Sequence, residues 1–379
     1  MKNVGCYMMA LAISVVLFSC KKSPEMSMLT VVHNDGSITR EFSEEHQVEN
    51  PDSSGIRGIN KTEENSFPVE LDSTWNQAWS CENQVFRSEK SIDSLIEKNK
   101  ERDIVYVHLI RKDFASAEDM ARNFHLEKSH PWANVKISSQ LDKKFRWFYT
   151  DYAYKETYSK LHVRFTYALN KFMSKDEADY WFSGNPNLTE KMTGMEARDY
   201  LGQLENKYEN WLKKNLWSDE FDLIIDNYGL VKDKPVSKEK LISLKDSLFK
   251  TALENEQETD AVLDAYFKTK AFSELMQHDN GARDSLAQAK HSAVWERFQY
   301  KLCMPGKILR SNCDAAGKDT LAWNISGFKF LTKNYVIEAE SRKTNVWAFI
   351  LTGLIIAVAI GSFFVRKNAR AYNATDSQM

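Results

Sequence analysis

The chain has 379 residues, with 51 basic side chains against 53 acidic ones and a formal net charge of −2 at pH 7. Neither sign forms a long block, which argues against nucleic acid or a polyanionic lipid as the main partner. Aromatic residues make up 12% of the chain, which contains only 14 Gly and 7 Pro. This composition excludes a disordered protein and indicates a folded body of one or two domains.

The N-terminal stretch combines a basic start, an apolar core and a cysteine. Lys2 is followed by about 14 apolar residues, a pattern typical of a secretory signal peptide. Leu17, Ser19 and Cys20 match the bacterial lipobox, in which the cysteine is acylated after cleavage. The sequence therefore predicts a lipoprotein signal peptide at residues 1–19 and a lipid on Cys20. The alternative is an ordinary cleaved signal peptide in which this cysteine has no role.

A second apolar stretch lies near the C-terminus. Residues 346–365 contain no charged side chain, and at about 1.5 Å per residue they match the ~30 Å core of a bilayer. Trp347 near the entry and Arg366 after the exit are typical of the membrane interfaces. The stretch predicts a transmembrane helix, since a buried core helix is rarely so long and so apolar.

The two ends together predict where the protein lies. An exported N-terminus places the body outside the cytoplasm, so the C-terminal helix must return the tail, residues 366–379, to the cytoplasm. We therefore expect a protein of the bacterial inner (cytoplasmic) membrane with a periplasmic body. The membrane is the first expected partner, through the lipid on Cys20 and the helix, and an envelope protein is the second.

Three cysteines remain in the body, namely Cys81, Cys303 and Cys313. Because Cys303 and Cys313 flank a predicted hairpin in an oxidising compartment, they are the best candidates for a single disulfide. No Cys or Cys/His cluster has the spacing of a metal site, so the sequence predicts neither a metal nor a cofactor.

The body begins with strand patterns. Residues 29–42 predict a β-hairpin around Asp35-Gly36, a favoured two-residue turn. Residues 102–114 predict a strand rich in β-branched and aromatic residues, which a short helix follows. The stretch 143–158 is rich in aromatic residues and poor in Leu and Ala, and it predicts one long strand.

Between residues 161 and 291 the patterns become helical. Capping boxes, Ser174 with Glu177 and Thr193 with Glu196, predict the starts of two helices. Further helices are predicted at 220–228, 238–253 and 259–276. After this segment the chain returns to alternating strand patterns.

Four short segments carry a resemblance to a known family. They are the DGS turn of the first hairpin, the DFASAEDM stretch, the MPGKILRSN turn and the TLAWNISGF strand. Together they resemble the LppM-like domain of bacterial envelope proteins, over residues 29–158 and 294–341. The resemblance implies a β-rich domain between a lipoprotein signal peptide and a C-terminal span, and it offers no catalytic residues.

The expected fold class is α+β. We expect a β-rich, membrane-proximal domain built from residues 20–158 and 293–341, with residues 159–292 inserted as an all-helical lobe. The transmembrane helix at 346–365 follows. Because two strands alone are marginal in water, the hairpin at 29–42 needs neighbours from the C-terminal strands. The two strand blocks are therefore expected in one β-domain.

The aromatic stretch contains the candidate binding residues. Trp147, Tyr149, Tyr152 and Tyr154 would form a stacking surface for sugars or peptides if they were exposed. The competing interpretation is a strand that is packed between a sheet and helices.

Two functions of different classes remain. The first is a membrane-anchored binding or structural module of the cell envelope. The alternative is a cell-envelope hydrolase or transferase with a site between the sheet and the helical lobe. The sequence contains no GxSxG, Walker or Gly-rich dinucleotide motif, which favours the first function and assigns no catalytic residue.

Overall fold

The computed structural model describes residues 26–48, 67–82, 84–99, 103–255, 258–278, 292–317 and 319–376. The predicted signal peptide and Cys20 lie outside these residues. The strands in chain order are β1 (Ser27–Val32), β2 (Ile38–Val48), β3 (Asn76–Cys81), β4 (Gln84–Phe86), β5 (Ile104–Phe114), β6 (Ile137–Arg146), β7 (Tyr149–Tyr158), β8 (Arg297–Cys303), β9 (Lys307–Ser311), β10 (Ala315–Ala316), β11 (Leu321–Ser326) and β12 (Tyr335–Thr344). The α-helices are α1 (Glu89–Lys98), α2 (Ala117–Asn123), α3 (Lys175–Ser183), α4 (Gly194–Asp226), α5 (Lys238–Asn255), α6 (Thr259–Phe267), α7 (Ala271–His278) and α8 (Val346–Asp376).

The strands form two sheets. The larger has the order β10-β11-β8-β1-β2-β5-β3-β4, and the smaller has the order β6-β7-β12-β9. β1 pairs antiparallel with β2 and parallel with β8, while β12 pairs antiparallel with β7. Each sheet thus combines strands from both ends of the body. With the helices that lie between these strands in sequence, this arrangement confirms the α+β fold class.

The first hairpin forms around Asp35-Gly36, but its loop is longer than the predicted two-residue turn, because the His33 N–H donates to the Ser37 carbonyl and leaves three residues between them. Gly36 has a positive φ of 101°, which a residue without a Cβ adopts without strain. The Asp35 carboxylate accepts hydrogen bonds from the backbone N–H and the hydroxyl of Ser37, at 3.0 and 2.7 Å. These contacts fix the two-strand register of β1 and β2.

The turn of this hairpin rests on the smaller sheet. The Tyr152 hydroxyl donates to the Asn34 carbonyl at 2.8 Å, and Lys143 Nζ donates to the Asp35 carbonyl at 3.1 Å. Tyr152 and Lys143 are both close to the turn that joins β6 and β7. Ser27 therefore lies at the end of β1 that points away from the β6–β7 turn.

The two sheets pack face to face around one hydrophobic core. Every second residue of β7 from Thr150 to Tyr158 is buried, and so is every second residue of β12 from Tyr335 to Ser341. This period of two directs one side of each strand to the opposite sheet. The largest side chains buried in the same cluster include Phe42, Trp132, Tyr300, Trp323 and Phe330.

An ion pair lies inside this sandwich core. Arg40 of β2 and Glu156 of β7 are fully buried, and Nη2 of the arginine lies 2.5 Å from Oε2 of the glutamate. The carboxylate also accepts hydrogen bonds from the hydroxyls of Tyr154, Tyr158 and Tyr300, at 2.5, 2.9 and 3.0 Å. The pair therefore links the two sheets through a set of charge-assisted hydrogen bonds.

The surroundings keep both partners of this pair charged. Arg40 Nη2 also donates to Thr30 Oγ1 at 2.9 Å, and the guanidinium lies 4.7 Å from the ring centroid of Phe124. Burial raises the pKa of Glu156, but the charge and hydrogen bonds of Arg40 and the tyrosine hydroxyls lower it by more. The pKa of Glu156 is therefore lower than that of an ordinary glutamate.

The 33-residue helix α4 connects two hydrophobic cores. Leu204 and Trp211 in its first half belong to the sandwich core, together with residues of α3. Phe221 and Ile224 in its second half belong to a separate core, which we call the helical core, built with α5, α6 and α7. The residues predicted as one helical lobe thus divide between two cores, and a continuous helix joins them.

Three local predictions are wrong. The helix predicted at 220–228 is the last part of α4, which runs without interruption to Asp226. The single strand predicted at 143–158 is the hairpin β6–β7, because the chain turns at Trp147 and Phe148. The single helix predicted at 259–276 is divided into α6 and α7, because Lys268 adopts a left-handed conformation with φ of 55°.

The C-terminal helix α8 is apolar over most of its length. Its segment Val346–Phe364 has 19 residues, a mean hydropathy of 2.3 and only 6% of its residues buried. By length and composition it can cross a membrane, and it is the one helix in the described part of the chain that can do so.

Candidate functional site

A single residue separates the last strand from the apolar helix. β12 ends at Thr344 and α8 begins at Val346, so only Asn345 lies between the sandwich and the helix. Asn345 is 8% exposed, although it lies between an exposed strand end and an exposed helix. The connection is therefore too short to act as a flexible linker.

The β6–β7 turn holds Asn345 in place. The Asn345 backbone N–H donates to the Phe148 carbonyl at 2.9 Å, and its side-chain Nδ2 donates to the Arg146 and Trp147 carbonyls at 2.9 and 3.3 Å. Its Oδ1 accepts a hydrogen bond from the Thr150 hydroxyl at 3.1 Å. Both polar ends of the side chain are thus satisfied by one hairpin, which couples the smaller sheet to the start of α8.

Aromatic side chains surround this connection. We define the aromatic collar as Phe145, Trp147, Phe148, Tyr149, Trp347 and Phe349. In the collar, Trp347 lies 6.3 Å from Phe145 and 5.4 Å from Trp147, measured between ring centroids. Phe349 lies 4.6 Å from Phe148 and 6.3 Å from Tyr149.

The collar also reaches the second turn of the helix. Trp147 Nε1 donates to Thr352 Oγ1 at 2.9 Å, while the Trp147 side chain remains 44% exposed. Phe145 is 60% exposed and Trp347 is 51% exposed. Exposed aromatic rings around the end of an apolar helix are typical of the interface between a bilayer and water.

Two arginines bind the same carboxylate of the smaller sheet, next to the collar. Asp151 Oδ1 accepts from Arg342 Nε at 2.6 Å, and its Oδ2 pairs with Arg146 Nε at 3.1 Å. The hydrogen bond from Arg342 is the main cause that lowers the pKa of Asp151. The Arg342 guanidinium also lies 5.4 Å from the Tyr149 ring centroid. These contacts connect β12, β6 and β7 at the end that meets α8.

The four predicted aromatic binding residues do not share one surface. Trp147 and Tyr149 belong to the collar, where Tyr149 is 39% exposed. The prediction is wrong for Tyr152 and Tyr154, which are 2% and 1% exposed. The even-numbered residues of β7 face the larger sheet, and the hydroxyl of Tyr154 is used by Glu156 inside the core.

The predicted Cys303–Cys313 disulfide is wrong, since both cysteines have free thiols. The chain between them does not form a hairpin, because β8 belongs to the larger sheet and β9 to the smaller one. β11 separates the two cysteines, since Leu302 pairs with Leu321 and Ala315 pairs with Ala322 on its opposite sides. Strands two positions apart are about 10 Å apart, which is too far for a disulfide.

Two cavities lie along the extended segment 161–165, and the second also reaches α3 and α4, where the enzyme alternative would place its site. Their volumes are about 580 and 630 Å³, and both are lined by the extended segment 161–165. No Asp, Glu or Cys is among the described residues that line them. In the described part of the chain, no group of three His, Cys, Asp or Glu side chains can hold a metal ion.

Sequence reasoning found the apolar helix and two residues of the collar but missed the connection between them. The role of Asn345 depends on the β6–β7 turn, which contains no Gly, Pro, Asn or Asp to indicate it. The run of exposed aromatic residues from Phe145 to Tyr149 was the available signal. Neither a protein-family model, nor a curated protein, nor a solved structure matches the chain.

Proposed function

We propose that the protein is a membrane-anchored binding or structural module of the bacterial cell envelope, with its sandwich directly on the periplasmic surface of the inner membrane. The observation that carries this proposal is the connection at Asn345. One hydrogen-bonded residue and the aromatic collar join the apolar helix to the sheet, so the membrane fixes the orientation of the sandwich.

The sequence supports the envelope location. The lipobox at Leu17 to Cys20 favours export and acylation, and the motifs that resemble the LppM-like domain favour the same compartment. A spanning helix is effectively irreversible once it is inserted, so the protein does not need the lipid in order to stay in the membrane. The role that we assign to the lipid is therefore to hold the N-terminus at the membrane.

The orientation can be tested in bacterial spheroplasts with the full chain carrying an epitope tag after Met379. Protease added outside should digest the body and leave a short tagged fragment that sediments with the membrane. Loss of the tag from intact spheroplasts would contradict the proposed orientation. Digestion after detergent treatment is the control that the fragment is accessible when the membrane is removed.

The lipid can be tested separately by growing cells with a labelled fatty acid. The natural chain should incorporate the label, and Cys20→Ala should not. Cys6→Ala is a matched control, because this cysteine lies within the predicted signal peptide and should not affect labelling of the mature chain. Label that survives in Cys20→Ala shows that the lipobox interpretation is wrong.

The position of the collar can be tested with nitroxide labels in the full chain reconstituted in bilayers. In one variant Phe145→Cys carries the label, and in a second Lys155→Cys carries it on the outer face of the same sheet. The three cysteines of the body are replaced by Ser in both. We expect a water-soluble nickel chelate to relax the label at 155 much more strongly than the label at 145. Equal relaxation would place the collar in water.

A further inference from the structure

Basic side chains gather at the end of the smaller sheet that meets α8. We define the basic rim as the seven residues Lys143, Lys144, Arg146, Lys307, Arg310, Arg342 and Lys343. The strand register places several of them side by side, since Lys144 and Arg342 both pair with Asp151 and Arg342 also pairs with Lys307. The rim thus takes its cations from three of the four strands, β6, β9 and β12, while β7 contributes none.

The positive charge is confined to this end of the sheet. Residues 142–151, 307–311 and 340–344 contain the seven basic residues of the rim and three acidic ones, Asp142, Asp151 and Glu340. The other half of the sheet, residues 137–141, 152–158 and 335–339, contains only Lys155, Glu156 and Glu338 as charged residues. This end of the smaller sheet therefore has an excess of four positive charges, which the nearby Asp35 of the first hairpin turn reduces to three.

The three acidic residues that lie among the rim residues are already paired. Asp142 lies 2.7 Å from Lys144 Nζ, Glu340 lies 2.6 Å from Arg310 Nη2, and Asp151 is held by its two arginines. The side chains of Arg146 and Lys144 are nevertheless 67% and 65% exposed. Three paired carboxylates cannot neutralise seven cations, so the rim faces its surroundings as a positive surface.

The rim lies at the depth of the lipid headgroups if α8 spans the bilayer. Thr344 is the last residue of β12, and Arg342 lies about 7 Å further from the helix at the usual rise of a strand. Lys and Arg extend long apolar stems that place their charged ends at such an interface. The collar below them occupies the boundary with the hydrocarbon.

We infer that the basic rim binds the phosphate-bearing headgroups of anionic phospholipids around α8. This inference rests on the proposed membrane span and names a lipid class for it. The balance of charge over the whole chain argues against a polyanionic partner, but the fold collects the cations of three strands at one end of the sheet. Phosphate oxygens accept hydrogen bonds from Lys and Arg, and anionic lipids attract clustered basic residues near the surface.

The inference can be tested with the full chain reconstituted in phosphatidylcholine bilayers that contain spin-labelled lipid. Electron paramagnetic resonance measures the fraction of labelled lipid that the protein restricts, for phosphatidylglycerol and phosphatidylcholine labels in turn. For the natural chain we expect restriction to favour phosphatidylglycerol by about threefold at low salt and by less at high salt.

The variant Lys144→Gln/Lys307→Gln/Lys343→Gln should lose at least half of this preference. The matched control is Lys128→Gln/Lys171→Gln/Lys250→Gln, which removes the same charge from exposed positions outside the smaller sheet. The control should keep the preference of the natural chain. Basic residues of the C-terminal tail are unchanged in both variants, so the difference reports on the rim.

Three outcomes would overturn the inference. They are a natural chain without lipid preference, a rim variant that keeps its preference, and a control variant that loses as much as the rim variant. Failure of the proposed span gives a different result, because neither labelled lipid would be restricted and the protein would not float with the vesicles.

Discussion

The sandwich core and the helical core are organised differently. The sandwich core contains the buried Arg40–Glu156 pair, with both side chains fully buried between the sheets. The helical core is a cluster of apolar side chains, and a neighbouring ion pair, Lys245 with Asp222, lies at its surface with the aspartate 50% exposed. The sheets come from distant parts of the sequence, whereas the helices follow one another along the chain.

This difference suggests what the buried pair does. Replacing a buried ion pair with apolar residues is often neutral for stability, so the pair is a weak source of folding energy. A charge opposite the wrong residue of the facing sheet is very unfavourable, because it would be buried without a partner. We therefore interpret the pair as a device that specifies how the two sheets face each other, which sequentially adjacent helices do not need.

The largest expected effect comes from breaking the buried pair on one side. Glu156→Gln leaves the buried Arg40 without its counter-ion and should lower the free energy of unfolding by about 3–5 kcal/mol. Urea unfolding of the full chain in detergent measures this loss. The double variant Arg40→Met/Glu156→Gln should recover most of it, because it removes the unpaired charge while the amide oxygen at position 156 still accepts from the tyrosine hydroxyls. A double variant as unstable as Glu156→Gln would show that the unpaired arginine is not the cause of the loss.

Because of the same pair, the stability of the fold should depend on pH in the acidic range. The pKa of Glu156 is lower in the folded state than its ordinary value of 4.5. The contribution of Glu156 to the free energy of unfolding is therefore complete above pH 4.5. It is lost as the pH falls through the lowered pKa of the folded state. Unfolding followed at decreasing pH should show a smaller acid loss for the double variant than for the natural chain. Identical pH profiles would contradict this account.

A cavity in the helical core should have a smaller and more local effect. Leu263 is fully buried in this core, and Leu263→Ala should lower stability by about 2–4 kcal/mol. Hydrogen exchange should accelerate in α5, α6 and α7 while the strands of the sandwich stay protected. Ala252→Gly in the same core removes less buried volume and should have the smaller effect. Equal acceleration in β7 would show that the two cores unfold as one unit.

The capping box of α4 should contribute less than either core. The Thr193 hydroxyl accepts from the Glu196 backbone N–H, and Glu196 Oε2 accepts from the Thr193 backbone N–H. Thr193→Ala should therefore cost about 1 kcal/mol, measured by urea unfolding. Thr193→Ser keeps a capping hydroxyl and should stay near the natural chain. A loss from the serine variant as large as from the alanine variant would exclude capping as the cause.

The smallest effect is expected at an exposed ion pair of the same sandwich. Lys155 and Glu338 lie 3.0 Å apart on the outer face of the smaller sheet, with side chains 48% and 54% exposed. Glu338→Gln should change the free energy of unfolding by less than about 1 kcal/mol, because water and salt screen the pair. The contrast with Glu156→Gln then measures the effect of burial on one type of substitution. A loss of several kcal/mol here would remove that contrast.

The predictions that succeeded concern features that depend only on residues close together in the sequence. The hairpin at Asp35-Gly36 and the capping boxes at Ser174 and Thr193 each contain their own signal within four residues. The structure confirms both capping boxes and the position of the hairpin, although its loop has three residues where two were predicted. The apolar segment of α8 is likewise visible from length and composition. Each of these features is stabilised locally, so a short stretch is sufficient to indicate it.

Features that depend on distant residues were missed. The helix predicted at 220–228 is the end of α4, since Ser218 and Asp219 resemble a helix start but lie inside a longer helix. The pairing of Arg40 with Glu156 joins residues that are 116 positions apart, and no local pattern indicates it. The β6–β7 turn was missed because its aromatic residues favour strands, whereas contacts with α8 make them a turn.

The direction of β1 limits how far the sandwich can move if Cys20 carries a lipid in the same membrane as α8. Ser27 lies at the end of β1 remote from the collar, at a height of roughly 20 to 30 Å given the length of the strand. Six residues lie between it and Cys20, and a fully extended chain over these seven residue steps reaches at most about 25 Å. This reach is about equal to the height of Ser27, so a lipid on Cys20 would restrict the movement of that end of β1. The lipid and α8 would then attach the sandwich to the membrane at two points. With both attachments, the sandwich could not tilt far towards the side opposite the lipid.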